Sequence, residues 1–243
     1  MYDHLEYKWN NQEQQYEPQE RMNNILPSKP SIEKCLRITD DFKTWLLSDD
    51  KHSICDNFLS YYVFPRIQSE ERNGDNYKEY STIDSYVEEL LDKKKVLIQG
   101  SYNSGKTALS KALFLHLTNT DFTVLFCDIE NIHGKNVDRI IKNSFVDVYG
   151  DNSSDYERYE QIPKDKKVLI IDNADQVKRD SLNAFLANID ERFGYVVLVS
   201  KQLIDISLFE RMKAELETVN SVYRYRILPL YSDKRNELIE LVV

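Results

Sequence analysis

Val96-Leu-Ile-Gln-Gly100-Ser-Tyr-Asn-Ser-Gly105-Lys106-Thr107 decides how the chain is read, because an apolar run enters a glycine-flanked loop that ends in Gly-Lys-Thr and opens a helix. The spacing Gly-x-x-x-x-Gly-Lys-Thr is that of a phosphate-binding loop. Its glycines let the backbone curl until successive N–H groups point inward at phosphate oxygens, where a side chain would collide. Gly100, Asn103, Ser104, Gly105 and Ala108 would supply this wrap of backbone. Lys106 would reach the β- and γ-phosphates, and Thr107 would offer its hydroxyl to Mg²⁺. The helix beginning here adds free N–H groups and the positive end of its dipole. The flanks fit that mechanism: Val96-Leu97-Ile98 reads as a short buried strand, and Ala108, Leu109, Ala112, Leu113 and Leu117 fall at helical spacing.

The acidic counterpart lies further along. Val168-Leu-Ile-Ile171 reads as another buried strand and ends in Asp172-Asn-Ala-Asp175. A carboxylate leaving a buried strand beside a phosphate loop can hold Mg²⁺, directly or through water, which is the role expected of Asp172. Asp175 could polarise an attacking water as the base, with Glu130 as a competing base and Lys106 as the charge that stabilises the transferred phosphoryl group. Ser200 and Lys201 follow the strand Tyr195–Val199, where a polar or cationic side chain can sense the γ-phosphate. Arg179, Arg192 and Arg211 all read as surface residues, so none is singled out as an arginine finger.

Length and composition bound the rest. A chain of 243 residues can bury one sizeable core. A hydrophobic share of 41% beside 30% charged residues is ordinary for a globular domain, and no apolar run approaches the roughly 20 residues of a membrane span. The start, Met-Tyr-Asp-His-Leu-Glu, is neither basic nor apolar, and Cys35, Cys55 and Cys127 form no C-x-x-C pair; together these predict reduced thiols and a cytoplasmic location. A net charge of −9 and a pI near 5.1 do not indicate a nucleic-acid surface. Lys93-Lys94-Lys95 and Lys164-Asp165-Lys166-Lys167 precede strands and read as solvated charges at the strand entrances.

Taken in order, residues 1–55 form a polar, aromatic arm with short helices. Positions Ile32, Cys35, Leu36, Phe42, Trp45, Leu46 and Leu47 carry the apolar pattern of those helices. The segment Asn57–Arg66 reads as a strand or extended stretch, and Gln68–Lys78 as a polar loop. A helix starts near Ser81 with Asp84 as a capping-box-like partner. A strand at 122–128, a helix near Val137–Phe145, a polar excursion from Val148 to Gln161, a helix burying Leu182, Phe185, Leu186 and Ile189, a strand at Tyr223–Leu228 and a helix at Lys234–Val243 complete the pattern. Strands alternating with helices give an α/β fold with a parallel sheet and helices on both faces. The core would run over 56–230, and 231–243 would begin a helical lid.

The combination of Gly100–Thr107, Asp172-Asn-Ala-Asp175, Val199-Ser-Lys201 and Tyr225-Arg-Ile-Leu-Pro-Leu230 followed by Arg235–Ile239 resembles the STAND class of signal-transduction ATPases, relatives of AAA+ and NACHT proteins. The resemblance covers roughly residues 57–243. It implies a P-loop NTPase of the additional-strand class, with a five-stranded parallel sheet in the order 5-1-4-3-2. It also implies ATP and Mg²⁺ as ligands, and self-association or an effector or sensor domain on a longer chain as partners. Tyr7-Lys-Trp9 and Tyr61-Tyr-Val-Phe-Pro65 resemble the segment that joins an N-terminal effector to the ATPase in some bacterial members. The sequence departs from the family where Asn173 replaces a glycine, Gln176 an acid and Lys201 an arginine, and Lys201 lacks the planar fork. It also stops where the family continues into a lid, a winged helix and sensor repeats.

The function this implies is an ATP-binding, slowly hydrolysing switch in bacterial defence signalling. A small-molecule kinase would share the loop but needs lid arginines, and after Pro229 only Lys234 and Arg235 are available. A GTPase lacks its Asn-Lys-x-Asp motif, and a scaffold could bind nucleotide for stability alone.

Overall fold

The computed structural model describes residues 36–47, 62–73, 76–127, 136–177, 179–201 and 222–242. Their strands are β1 (Ile67–Asn73), β2 (Asn76–Tyr80), β3 (Lys95–Gln99), β4 (Thr123–Cys127), β5 (Lys167–Ile171), β6 (Tyr195–Ser200) and β7 (Tyr223–Ile227). The helices are α1 (Asp40–Leu47), α2 (Ile83–Lys93), α3 (Lys106–Thr118), α4 (Val137–Tyr149), α5 (Ser153–Gln161), α6 (Arg179–Ile189) and α7 (Ser232–Val242). The arm over 1–35, most of the extended stretch at 57–61 and Glu130 lie outside the described residues.

One sheet of seven strands holds the fold, in the order β2-β1-β7-β3-β6-β5-β4. The expectation of a five-stranded, wholly parallel sheet is corrected: β1 and β2 pair antiparallel with each other, and β1 pairs antiparallel with β7. The remaining pairings, β7 with β3, β3 with β6, β6 with β5 and β5 with β4, are parallel. The two extra strands come from the stretch read as a polar loop. Ile67 and Tyr80, paired across the two strands, are its buried apolar anchors, and Asn73-Gly74 is a hairpin signal that polarity obscured. Residues 62–66 are not a strand; the strand begins after Arg66.

β3 and β5 are buried along their whole lengths, as strands covered on both faces must be. From β3 at the centre the chain moves out to the edge strand β4 through α3, then returns through β5 to β6 by way of α4, α5 and α6. Right-handed crossovers in opposite directions put these helices on opposite faces. Aromatic packing joins α1 to α3 and β4: the Phe42 ring lies 5.1 Å from Phe114 of α3, and Trp45 lies 4.8 Å from Phe126 of β4. The buried Lys111 donates to Trp45 O at 2.7 Å and sits over the Trp45 ring.

Local chemistry moves several boundaries. Thr82, not an Asp84 box, caps α2: its hydroxyl accepts from Ser85 N–H at 3.3 Å, while Asp84 stands in the first turn, 3.7 Å from His116 Nε2. The excursion read from 148 to 161 is ordered. α4 runs on to Tyr149 and stops at Gly150, and Asn152 caps a further helix, α5, accepting from Ser154 N–H at 3.1 Å. Tyr159 of α5 buries its ring 5.2 Å from Phe145, and Tyr149 donates to Val124 O at 2.8 Å. Nor are both lysine runs simply solvated: Lys95 is buried against Asp190, and Lys167 is buried against Tyr159.

A hairpin network locks the added strands. Glu89 of α2 accepts from Lys78 Nζ of β2 at 2.7 Å and from Tyr225 Oη of β7 at 3.0 Å, and the rings of Tyr80, Tyr86 and Tyr225 meet edge to face. Truncating Phe145, whose ring meets those of Tyr149, Tyr156 and Tyr159, is expected to cost about 3–5 kcal/mol in urea unfolding of Phe145→Ala. A loss below about 1 kcal/mol would show that α5 does not pack on α4 as described.

Candidate phosphate-binding site

β3 carries the loop to its position. Gly100 N–H donates to Ser200 O at 3.1 Å, so the β3–β6 ladder continues one residue beyond the strand. A Cβ at Gly100 would stand 2.2 Å from Ser104 Oγ, 3.1 Å from Lys106 Cγ and 3.2 Å from Ile227 Cδ1. This glycine is therefore needed for close approach. Gly105 is needed for a different reason: nothing lies within 4 Å of its would-be Cβ, but its φ of +80° is left-handed.

Asn103 also adopts a positive φ, 58°, and Ser104 N–H donates to Ser101 O at 3.2 Å. Left-handed residues alternating with ordinary ones turn consecutive amides to one side, which is the geometry of an anion nest. Gly105 then caps α3, where Leu109 N–H bonds Gly105 O at 2.8 Å, and the first turn of α3 starts at Lys106.

The Lys106 ammonium lies along the loop, donating to Ser101 O at 2.7 Å and Gly100 O at 3.1 Å. Burial lowers its affinity for a proton, with Lys201 acting in the same sense and Asp172 and Asp175 opposing. Those three influences place both carboxylates and the second lysine in its electrostatic neighbourhood.

β5 brings the acidic residues. Asp172 is buried at its exit and accepts from Asn173 N–H at 2.9 Å. Asn173 is left-handed, with φ 55°, and begins the short turn Ala174–Gln176. Where the resemblance puts glycine, asparagine keeps the same backbone shape, because it is the side chain that best tolerates this region. Asp175 Oδ1 accepts from the backbone N–H of Lys201 at 2.9 Å, tying the exit of β5 to that of β6. Lys201 Nζ stands 5.3 Å from the centre of the exposed Tyr102 ring.

Gly100–Thr107, Asp172, Asp175, Ser200 and Lys201 thus gather at the carboxyl ends of β3, β5 and β6, the edge where open α/β sheets bind ligands. Ala108 stands in the first turn of α3, and Ser200 is fully buried beneath Gly100. Arg192 is at the opposite end, paired with Asp138; the side chains of Arg179 and Arg211 lie outside the description. Sequence reading missed two contributors. Tyr102 is an exposed aromatic inside the loop with no spacing signal, and Asn173 was read as a replacement rather than as a left-handed position.

A nucleotide's phosphates fit these residues. Ser104 Oγ is buried without a hydrogen-bond partner among the described residues, inside a cradle that a Cβ at Gly100 would fill. For Mg²⁺, the Thr107 hydroxyl and the Asp172 carboxylate are hard oxygen donors. That metal is ordinarily held by one or two protein oxygens plus phosphate, so the absence of a cluster of three or more His, Cys, Asp or Glu among the described residues does not count against it.

No family model matches this chain, and no curated protein matches it. Among solved structures it is similar to a chain of the Escherichia coli MS115-1 HORMA:CdnC:Trip13 complex at 16% identity and a TM-score of 0.36, over 65% of this chain and 56% of that one. It is likewise similar to the Aeropyrum pernix ORC2 protein, solved as ADPNP-ADP complexes, at 15% identity and a TM-score of 0.36, over 65% of this chain and 49% of that one. The chain spans about half the length of these structures. Likeness at that level transfers no function, so the site rests on its own geometry. Among the described residues no helix is long and apolar enough to cross a membrane.

Gly100→Ala is expected to lower the melting temperature by several degrees, as overpacking of about 1–3 kcal/mol would. Adding Ser104→Ala removes the nearest atom and should restore part of the loss. Equal melting temperatures for wild type and Gly100→Ala would contradict the close approach of Ser104.

Proposed function

We propose that this chain binds ATP with Mg²⁺ at Gly100–Thr107 and acts as a slowly hydrolysing nucleotide switch of the STAND kind. The observation that supports the reading is the cradle at the end of β3: an obligatory glycine, two left-handed residues, a lysine and an orphaned hydroxyl facing two carboxylates and a second lysine. Bound ATP would supply the phosphoanhydride, and Mg²⁺ the charge neutralisation. The amides from Asn103 to Ala108 would orient the phosphates, Lys106 would exchange its loop carbonyls for phosphate oxygens, and Thr107 and Asp172 would hold the metal. Lys201 senses the terminal phosphate from the exit of β6.

Asp175 is the candidate base, and its bond to the Lys201 amide favours a slow step. One of its two carboxylate oxygens is already engaged in joining the strands. The same observation supports a second reading, in which the site binds nucleotide for stability and turnover is negligible. The proposed partition is an arm over 1–55, the nucleotide-binding core over 56–230 and the start of a lid over 231–243. In that partition Arg66 ties the lid to the core through Asp233 at 2.6 Å. Coupling to assembly or to an effector domain, in a defence setting, is what the family resemblance adds.

Lys106→Ala removes charge-assisted hydrogen bonds of about 1.5–3 kcal/mol, so ATP-Mg²⁺ affinity in calorimetry should fall ~10- to ~150-fold; unchanged affinity would overturn the assignment. Binding should also be linked to protons. The folded-state pKa of Lys106 is lowered by burial, and phosphate restores the charged form, so between the free and bound pKa values the complex takes up a proton. Calorimetry in alkaline buffers of different ionisation enthalpy should show that uptake, and Lys106→Met should abolish it.

A further inference from the structure

At the far end of the sheet from the phosphate loop, a cavity of about 190 Å³ opens where β5 begins. Six waters' worth of liquid, at ~30 Å³ each, would fill it. Lys167, Tyr159 and Ile141 form its buried floor, Ile162 and Arg192 its half-buried walls, and Lys164, Glu160 and Glu191 its exposed rim.

The pocket is built by a tight backbone contact. Gly194 N–H donates to Lys164 O at 2.7 Å, and a Cβ on Gly194 would stand 2.7 Å from that oxygen and 2.9 Å from Asp165 Cα. Only glycine permits the turn after α6 to lie against the 164–166 turn, and that contact brings Arg192 beside Lys164 and Lys167.

The Lys167 ammonium is the unusual member. The residue as a whole is buried, and its ammonium donates to Glu160 O at 3.3 Å and lies 4.5 Å from the Tyr159 ring centre. Burial lowers its proton affinity; Glu160 opposes this and Arg192 adds to it. Of the rim acids, Glu160 accepts from the Tyr156 hydroxyl and holds part of the Lys167 charge, while Asp138, outside the cavity, pairs with Arg192. The Lys164 ammonium makes no ion pair among the described residues.

From the cavity and the three cationic residues that line it, Lys167, Arg192 and Lys164, we propose a second anion site, for a small phosphate-type oxyanion, at the amino-terminal end of β5. The volume accommodates phosphate or a small phosphomonoester. The site is independent of the nucleotide reading: it uses none of the loop residues and stands at the other end of the strands.

The test is thermal unfolding of the Lys106→Ala chain, which weakens phosphate binding at the loop, in increasing inorganic phosphate against chloride at equal ionic strength, with glycerol phosphate as a parallel arm. A saturable rise in melting temperature beyond chloride is expected, with the apparent affinity weakened at least ~10-fold in Lys164→Gln and in Lys167→Met, since each removes a charge-assisted donor. A stronger response to glycerol phosphate would identify a phosphomonoester as the ligand, and a stronger response to inorganic phosphate the free ion. No rise beyond chloride, or an equal rise in both variants, overturns the proposal. If Lys167→Met does not fold, Lys164→Gln, an exposed change, decides alone. Retained ATP binding in Lys106→Ala would count against the switch and leave this site standing.

Discussion

The hydrogen bond from Gly100 N–H to Ser200 O is the constraint on which the candidate site depends. It holds the first loop residue in register with the exit of β6, so the curl that follows begins from a fixed point between two buried strands. Everything nearby is referred to it: Ser104 packs over the bare α-carbon of Gly100, Lys106 folds along the same carbonyls, and Lys201 follows Ser200 directly. A loop anchored to sheet on only one side could not keep its amides converged without further packing. Here the ladder itself supplies the rigidity that preorganised electrostatics needs.

The second link runs across the sheet. Asp175 joins the end of β5 to the end of β6 by accepting the Lys201 amide, while Asp172 is held back at its own strand by Asn173. The two carboxylates of one short motif therefore have different tasks: one is buried at the strand end as a candidate metal ligand, the other is a tie between strands with one oxygen to spare. The proposed switch would use such a division, because a group that senses ligand must also be connected to something that moves.

Much of this was legible in the sequence, and for a definite reason. The loop, Asp172 and Asp175 sit between a strand and a helix and Lys201 directly follows a strand, where buried β-branched runs stop at small or polar residues. The failures share a cause as well. The hairpin β1–β2 is polar because its strands are largely solvated, and the helix α5 is polar because it buries chiefly Tyr159, so hydropathy took both for loops. Lys95 and Lys167 were misjudged because a lysine's long stem packs like an aliphatic chain while its charge finds a partner or a ring, which no one-dimensional pattern reports. Tyr102 and the shape of Asn173 needed backbone dihedrals and neighbours.

The hairpin has a consequence for how copies of the chain could meet. With β1 and β2 added beyond β7, that side of the sheet ends, among the described residues, in Asn76-Tyr-Lys-Glu-Tyr80, a five-residue strand with a lysine and a glutamate at its middle. Short, charged border strands are poor templates for a neighbour's backbone. Assembly on that flank would have to proceed by contact between side-chain surfaces, leaving the main-chain ladder closed to extension and the sheet guarded against fibrous growth.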